Sequence, residues 1–129
     1  MNIMKKSEDL LINSRFKLKN KLTETFHYHQ PRLASYSRKE RTLKEETEKA
    51  YRDAIKSLIA FNSNTQVRIK DKYMKDFIIN IEYLDYLVNE AVIKGELNTR
   101  QALVIGKNLR EMVKMAYGFT AKEECKSKS

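Results

Sequence analysis

"QVRIKDKYMKDFIINIEYLDYLVNEAVIKG", Gln66 to Gly95, decides the fold. Stepped at 100° per residue, it places Val67, Met74, Phe77, Ile78, Ile81, Leu84, Val88 and Val92 on one stripe, the signature of a long amphipathic helix. Gly95 is expected to close it as the C′ residue, where a left-handed backbone suits glycine. A second set, Ile79, Tyr83, Tyr86 and Leu87, with Ile69 and Tyr73, projects away from that stripe. A bundle helix normally keeps one wet face, so a helix apolar on several sides calls for burial beyond its own protomer. A homo-oligomer is therefore expected.

Working outward, "ELNT" leads into a fourth helix capped by Asn98 or Thr99. There Ala102, Ile105, Leu109, Met112, Val113 and Ala116 share an arc, while Val104 and Met115 lie opposite it. On the other side, "NSNT" breaks the chain after a second helix that runs to about Phe61, with Leu43, Ala50, Tyr51, Ala54, Ile55 and Leu58 on its face. Two overlapping capping boxes, Ser37-x-x-Glu40 and Thr42-x-x-Glu45, are expected at its start. A first helix from about Glu8 to Tyr36 aligns Leu11, Leu18, Leu22, Phe26, His29 and Leu33, with Pro31 kinking or ending it. Four amphipathic helices with short connections predict an all-α, antiparallel four-helix bundle over residues 1–121, followed by a polar tail, 122–129, expected to be disordered.

Among 129 residues there are one Pro, three Gly and no Trp, with a third of the chain charged, which disfavours a turn-rich β fold. "MNIMKKSEDLL" has lysines with no apolar stretch behind them, so no leader is expected, and no apolar run reaches membrane-spanning length. The single Cys125 excludes a disulfide framework and fits a reducing cytoplasm. Lys and Arg number 26 against 17 Asp and Glu, a net +9 that points to an anionic partner, nucleic acid first.

The residues that could carry chemistry do not assemble into a reaction centre. On a helix His27 and His29 point about 200° apart and cannot share a metal; His29 joins the apolar stripe as a core or boundary histidine. "ETFH", Glu24 to His27, has the Glu-x-x-His spacing of di-iron bundles, but that site needs a second copy and further carboxylates. Nucleolytic bundles of the HEPN type place an Arg four to six residues before a His, and neither histidine has one. No catalytic residue, metal ligand or cofactor is assigned, and the protein is read as a non-enzyme.

Cations are organised. Arg100, Lys107 and Lys114 recur every seven residues, with Arg110 beside them, on one stripe of the fourth helix. Arg68, Lys72 and Lys75 cluster on the third, and Arg38, Lys39 and Arg41 crowd the corner before the second. With Glu82, Asp85, Glu90 and Glu96 gathered toward the far end of the third helix, one end of the bundle is expected to be basic and the other mildly acidic. Such a surface touches phosphates without reading sequence.

Two stretches also resemble a known family. "YSRKER", Tyr36 to Arg41, is similar to a Phe-Pro-Lys/Arg-x-Glu-Arg element at the entry to the second helix of small bacterial and phage four-helix bundles. "LREMVKMAYGF", Leu109 to Phe119, resembles that family's closing pattern Leu-x-Glu-Ile-Gly-Arg/Lys-Met-Leu-Gly-Gly-Trp, and "GELNTRQA" fits the connector between them. Ser37 stands for the proline, Val113 and Tyr117 for two glycines, and Phe119 for the tryptophan. The family includes the accessory variability determinant (Avd) of diversity-generating retroelements and proteins encoded in intervening sequences of ribosomal RNA genes. The resemblance implies a homopentameric basic barrel that associates with a reverse transcriptase and engages template RNA during mutagenic cDNA synthesis. Arg38, Lys39, Arg41 and Lys114 fall on its charged motif positions. The expected function is thus a non-catalytic, RNA- or DNA-binding accessory protein. A structural adaptor that grips an acidic protein is the alternative, and a metal or nuclease enzyme a weaker third.

Overall fold

The computed structural model describes the backbone from residue 3 to 128 and the side chains from residue 17 to 120. Four helices follow one another: α1 Ile3–Ala34, α2 Arg41–Ser63, α3 Val67–Ile93 and α4 Thr99–Lys128, with one 3-10 turn, Arg38–Glu40, ahead of α2. No strand occurs among the described residues. Each helix packs against two others in the cycle α1–α2–α3–α4–α1, and the α1–α2 contact is the slightest of the four. Short connections between antiparallel neighbours make this a four-helix bundle.

The stripes turn inward. Phe77, Met74, Ile81 and Leu84 of α3 meet Leu109, Ile105 and Met112 of α4 and Ala54 and Leu58 of α2, all fully or almost fully buried. From α1, Leu18, Leu22, His29 and Leu33 are buried, while Leu11 lies outside the described side chains. Buried Thr25, Thr47 and Ser57 donate to the carbonyls of Lys21, Leu43 and Asp53, one turn back, so these hydroxyls are satisfied inside their own helices. Pro31 sits inside α1 without ending it; in the last turn it forfeits only one ladder bond.

Three expectations about α3 and α4 are corrected. Leu87 is 5% exposed, because α3 is flanked by both α2 and α4 and a wide arc of it is covered. Met115 is half-buried against the core rather than opposite it, and Val67, the first residue of α3, is exposed. The segment 122–129, expected to be a polar tail, lies with Cys125 outside the described side chains.

The corners show how the ends are tied. Gly95 has φ +77°, and Glu96 N–H donates to Ala91 O at 2.8 Å and Gly95 N–H to Val92 O at 3.0 Å, a Schellman closure of α3. Asn98 and Gln101 then cap each other: Gln101 N–H donates to Asn98 Oδ1 at 2.8 Å and Asn98 N–H to Gln101 Oε1 at 3.1 Å. The capping boxes expected before α2 do not form. Ser37 instead donates its hydroxyl and its N–H (3.0 Å) to the Glu96 carboxylate, and Glu40 pairs with Lys94 at 3.3 Å. The α1–α2 corner is thereby latched to the α3–α4 corner at one end of the bundle.

Candidate nucleic-acid interface

The corner latch fixes where the cations lie. Arg38, Lys39 and Arg41 share an end with Lys94 and Glu96, whereas Arg68, Lys72 and Lys75 begin α3 at the other end. From Lys72 to Lys94 a helix rises about 33 Å. The expectation of one basic and one acidic end is therefore corrected: antiparallel packing divides the two clusters between opposite ends.

Several of these cations are already engaged. Arg41 pairs with Glu45 at 2.9 Å, Lys75 with Asp71 at 2.9 Å, and Arg110 approaches Asp85 at 3.9 Å. Lys72 lies over the Tyr73 ring, 5.1 Å from its centroid. Among the described residues Arg38, Lys39, Arg68, Arg100, Lys107 and Lys114 have no carboxylate within 4 Å and are exposed. On α4 the heptad spacing holds Arg100, Lys107 and Lys114 on its outer face. Beside that row, Glu111 bridges back to Lys21 of α1 at 2.5 Å, and both Lys21 and Lys107 hold its carboxyl below the usual range. Leu103 and Tyr117, 61% and 52% exposed, interleave with the cations.

A row that sequence reasoning missed lies on α2. Lys49, Arg52 and Lys56 are exposed, have no carboxylate within 4 Å among the described residues, and recur at three- and four-residue spacing. The same angular rule that found the α4 row would have found them.

The residues expected at a self-interface divide. Ile79, Tyr83, Tyr86 and Val104 are exposed, Ile79 by 63% and Tyr86 by 58%, while Leu87 and Met115 belong to the protomer's own packing. Tyr83 and Tyr86 stack with ring centroids 6.3 Å apart and planes 10° from parallel, and Tyr83 donates its hydroxyl to Glu46 at 3.2 Å. Ile93, 76% exposed, extends the outer face of α3 beyond the residues singled out by pattern.

The histidines part company. His27 is exposed, while His29 is buried, its Nδ1 hydrogen-bonded to the Tyr51 hydroxyl at 2.7 Å with the rings edge to face. Burial, then the charge of Arg32, lowers the His29 pKa to about 4, so the imidazole is neutral at ordinary pH. Burial likewise pushes the Tyr51 hydroxyl upward. Among the described residues no three His, Cys, Asp or Glu side chains converge, and no helix is long and apolar enough to cross a membrane.

The chain matches no protein-family model, no curated protein and no solved structure.

Proposed function

We propose that the protein is a non-catalytic accessory bundle that assembles with copies of itself and binds RNA or DNA along the phosphate backbone. The observation that carries this reading is the outer row of α4, where Arg100, Lys107 and Lys114 stand exposed with no carboxylate within 4 Å among the described residues, on a chain of net +9. Cations at such spacing meet successive phosphates, release their counterions and carry no sequence information. Arg38, Lys39, Arg68 and Lys72 supply further contacts at the two ends. Self-assembly, supported by the exposed Ile79, Tyr83 and Tyr86, repeats each weak row and raises the effective concentration of the next contact. The motif resemblance adds the biological setting: service to a reverse transcriptase of a diversity-generating retroelement, as one ring of five.

A second reading is favoured by Leu103 and Tyr117, which put apolar surface among the α4 cations. An acidic amphipathic helix of a protein partner would use both. Reversing Arg100, Lys107 and Lys114 to Glu and titrating a fluorescent single-stranded RNA separates the two. The nucleic-acid reading expects affinity to fall by roughly a hundredfold or more. Unchanged RNA binding with loss of a protein partner would establish the adaptor instead.

A further inference from the structure

The cation row of α4 has two different flanks. Toward α1 it is closed, because Glu111 bridges to Lys21. Toward α3 it opens into a cleft of about 370 Å³, backed by Ile81, Leu109 and Val113 and edged by Glu82, Asp85 and Arg110. Gly106 leaves the α4 backbone bare beneath Asp85 and Arg110: a Cβ there would come within 3.0 Å of Arg110 Nη1 and 3.5 Å of Asp85 Oδ1. The guanidinium and the Asp85 carboxylate stand 3.9 Å apart, too far for a hydrogen bond. Glu82 is exposed, with no cation within 4 Å among the described residues. Both carboxylates thus keep acceptor positions for a ligand. Arg110 lies between Lys107 and Lys114 along α4 and about 60° around it from the axis of the cation row. On a helix about 10–12 Å across, that offset is about 5–6 Å around the surface.

We propose that this cleft receives an unpaired, amine-bearing nucleobase, cytosine among the pyrimidines, while the α4 row holds the phosphates beside it. The inference rests on the nucleic-acid reading above and names the form that ligand takes, a single strand. The offset between row and cleft matches a nucleotide, whose base stands one sugar away from its phosphate. A base inside a duplex has its pairing edge occupied, so only a single strand offers that edge to the cleft. Glu82 and Asp85 are acceptors: they take hydrogen bonds from the exocyclic amine of cytosine and turn away uracil, which presents a carbonyl oxygen in its place. The Arg110 guanidinium supplies a planar cation on which a base stacks, and its charge offsets the carboxylates that would otherwise repel the strand. Leu103 and Tyr117 lie seven residues to either side of Arg110, exposed on the same flank, where neighbouring bases find further surface to stack on. The two carboxylates oppose an acidic protein helix on this flank, so the cleft favours the nucleic-acid occupant.

The test is fluorescence anisotropy on the full chain with oligocytidine and oligouridine RNA of equal length, at mildly alkaline pH, where cytosine is uncharged. Oligocytidine should bind roughly fivefold or more tightly than oligouridine. Glu82→Gln with Asp85→Asn, its helix content checked by circular dichroism, should abolish most of that preference. It should do so chiefly by raising the affinity for oligouridine, since an amide offers uracil a donor and no longer repels phosphate. Equal affinities of the wild type for the two RNAs, with binding still steep in salt, overturn the cleft assignment and leave the phosphate row standing. A cytosine preference that survives the double substitution overturns it too. A chain that binds neither RNA at low salt removes the nucleic-acid reading itself.

Discussion

Phe77, Ile81 and Leu84 turn inward from α3 and lose contact with water, whereas Ile79, Tyr83 and Tyr86 turn outward from the same helix and keep it. Both sets are apolar, so hydrophobicity alone does not separate core from interface. What separates them is whether the protomer supplies a wall. The inner set is closed by α2 and α4, whereas among the described residues the outer set reaches only the edge of α2, Tyr83 at Glu46 and Ile79 across an open cleft shared with Asp53 and Lys56. The inner face thus serves the stability of one chain, and the outer face is the one the proposed self-assembly would cover.

The largest effect that could break this contrast comes from truncating each face. Phe77→Ala should cost about 3–5 kcal/mol in urea unfolding, because it empties a fully enclosed site. Tyr86→Ala, 58% exposed in the protomer, should change monomer stability by no more than about 0.5 kcal/mol and weaken self-association instead. Equal losses of stability from the two would erase the distinction.

Acid sharpens it next. His29 belongs to the inner surface, and its folded pKa of about 4 lies below the ordinary imidazole value of 6.5. The unfolded chain therefore takes up the proton first, and stability is lost as pH falls from about 6.5 toward about 4. The full loss is about 3 kcal/mol. Replacing His29 by Leu should flatten that part of a stability-versus-pH curve, and an unchanged curve would contradict the assignment.

Gly95→Ala comes third. The space around it is open, but φ is +77°, so the strain is conformational and the cost about 1–2 kcal/mol by thermal unfolding. The smallest effect belongs to the latch: Lys94→Met, which removes the pair with Glu40, should cost less than about 1 kcal/mol.

Much of the bundle was legible because its causes are local. The 3.6-residue period marked each inner stripe, His29 included, and Gly95 announced itself by residue type and place, while the cap of α4 was narrowed to Asn98 or Thr99 and the structure selects Asn98. The capping boxes before α2 failed for a reason no local rule contains: Ser37 is taken by Glu96, 59 residues along the chain. Leu87 was misplaced because angle alone does not tell how wide an arc two flanking helices cover. For the candidate site, the cation rows could be found by spacing, and the Arg41–Glu45 and Lys75–Asp71 pairs follow from four-residue separation. The Arg110–Asp85 approach and the division of Arg38 from Arg68 depended on tertiary packing.

The central claim is that the exposed cations on the outer face of α4, none within 4 Å of a described carboxylate, bind a phosphate chain. Its most direct test is the slope of log affinity against log salt for single-stranded RNA, measured on the wild type and on the Arg100→Glu, Lys107→Glu, Lys114→Glu variant. Three phosphate contacts per protomer predict a slope of about −2 per protomer for the wild type, with the variant markedly flatter. A wild-type slope near zero, or the same slope in both proteins, would contradict the account.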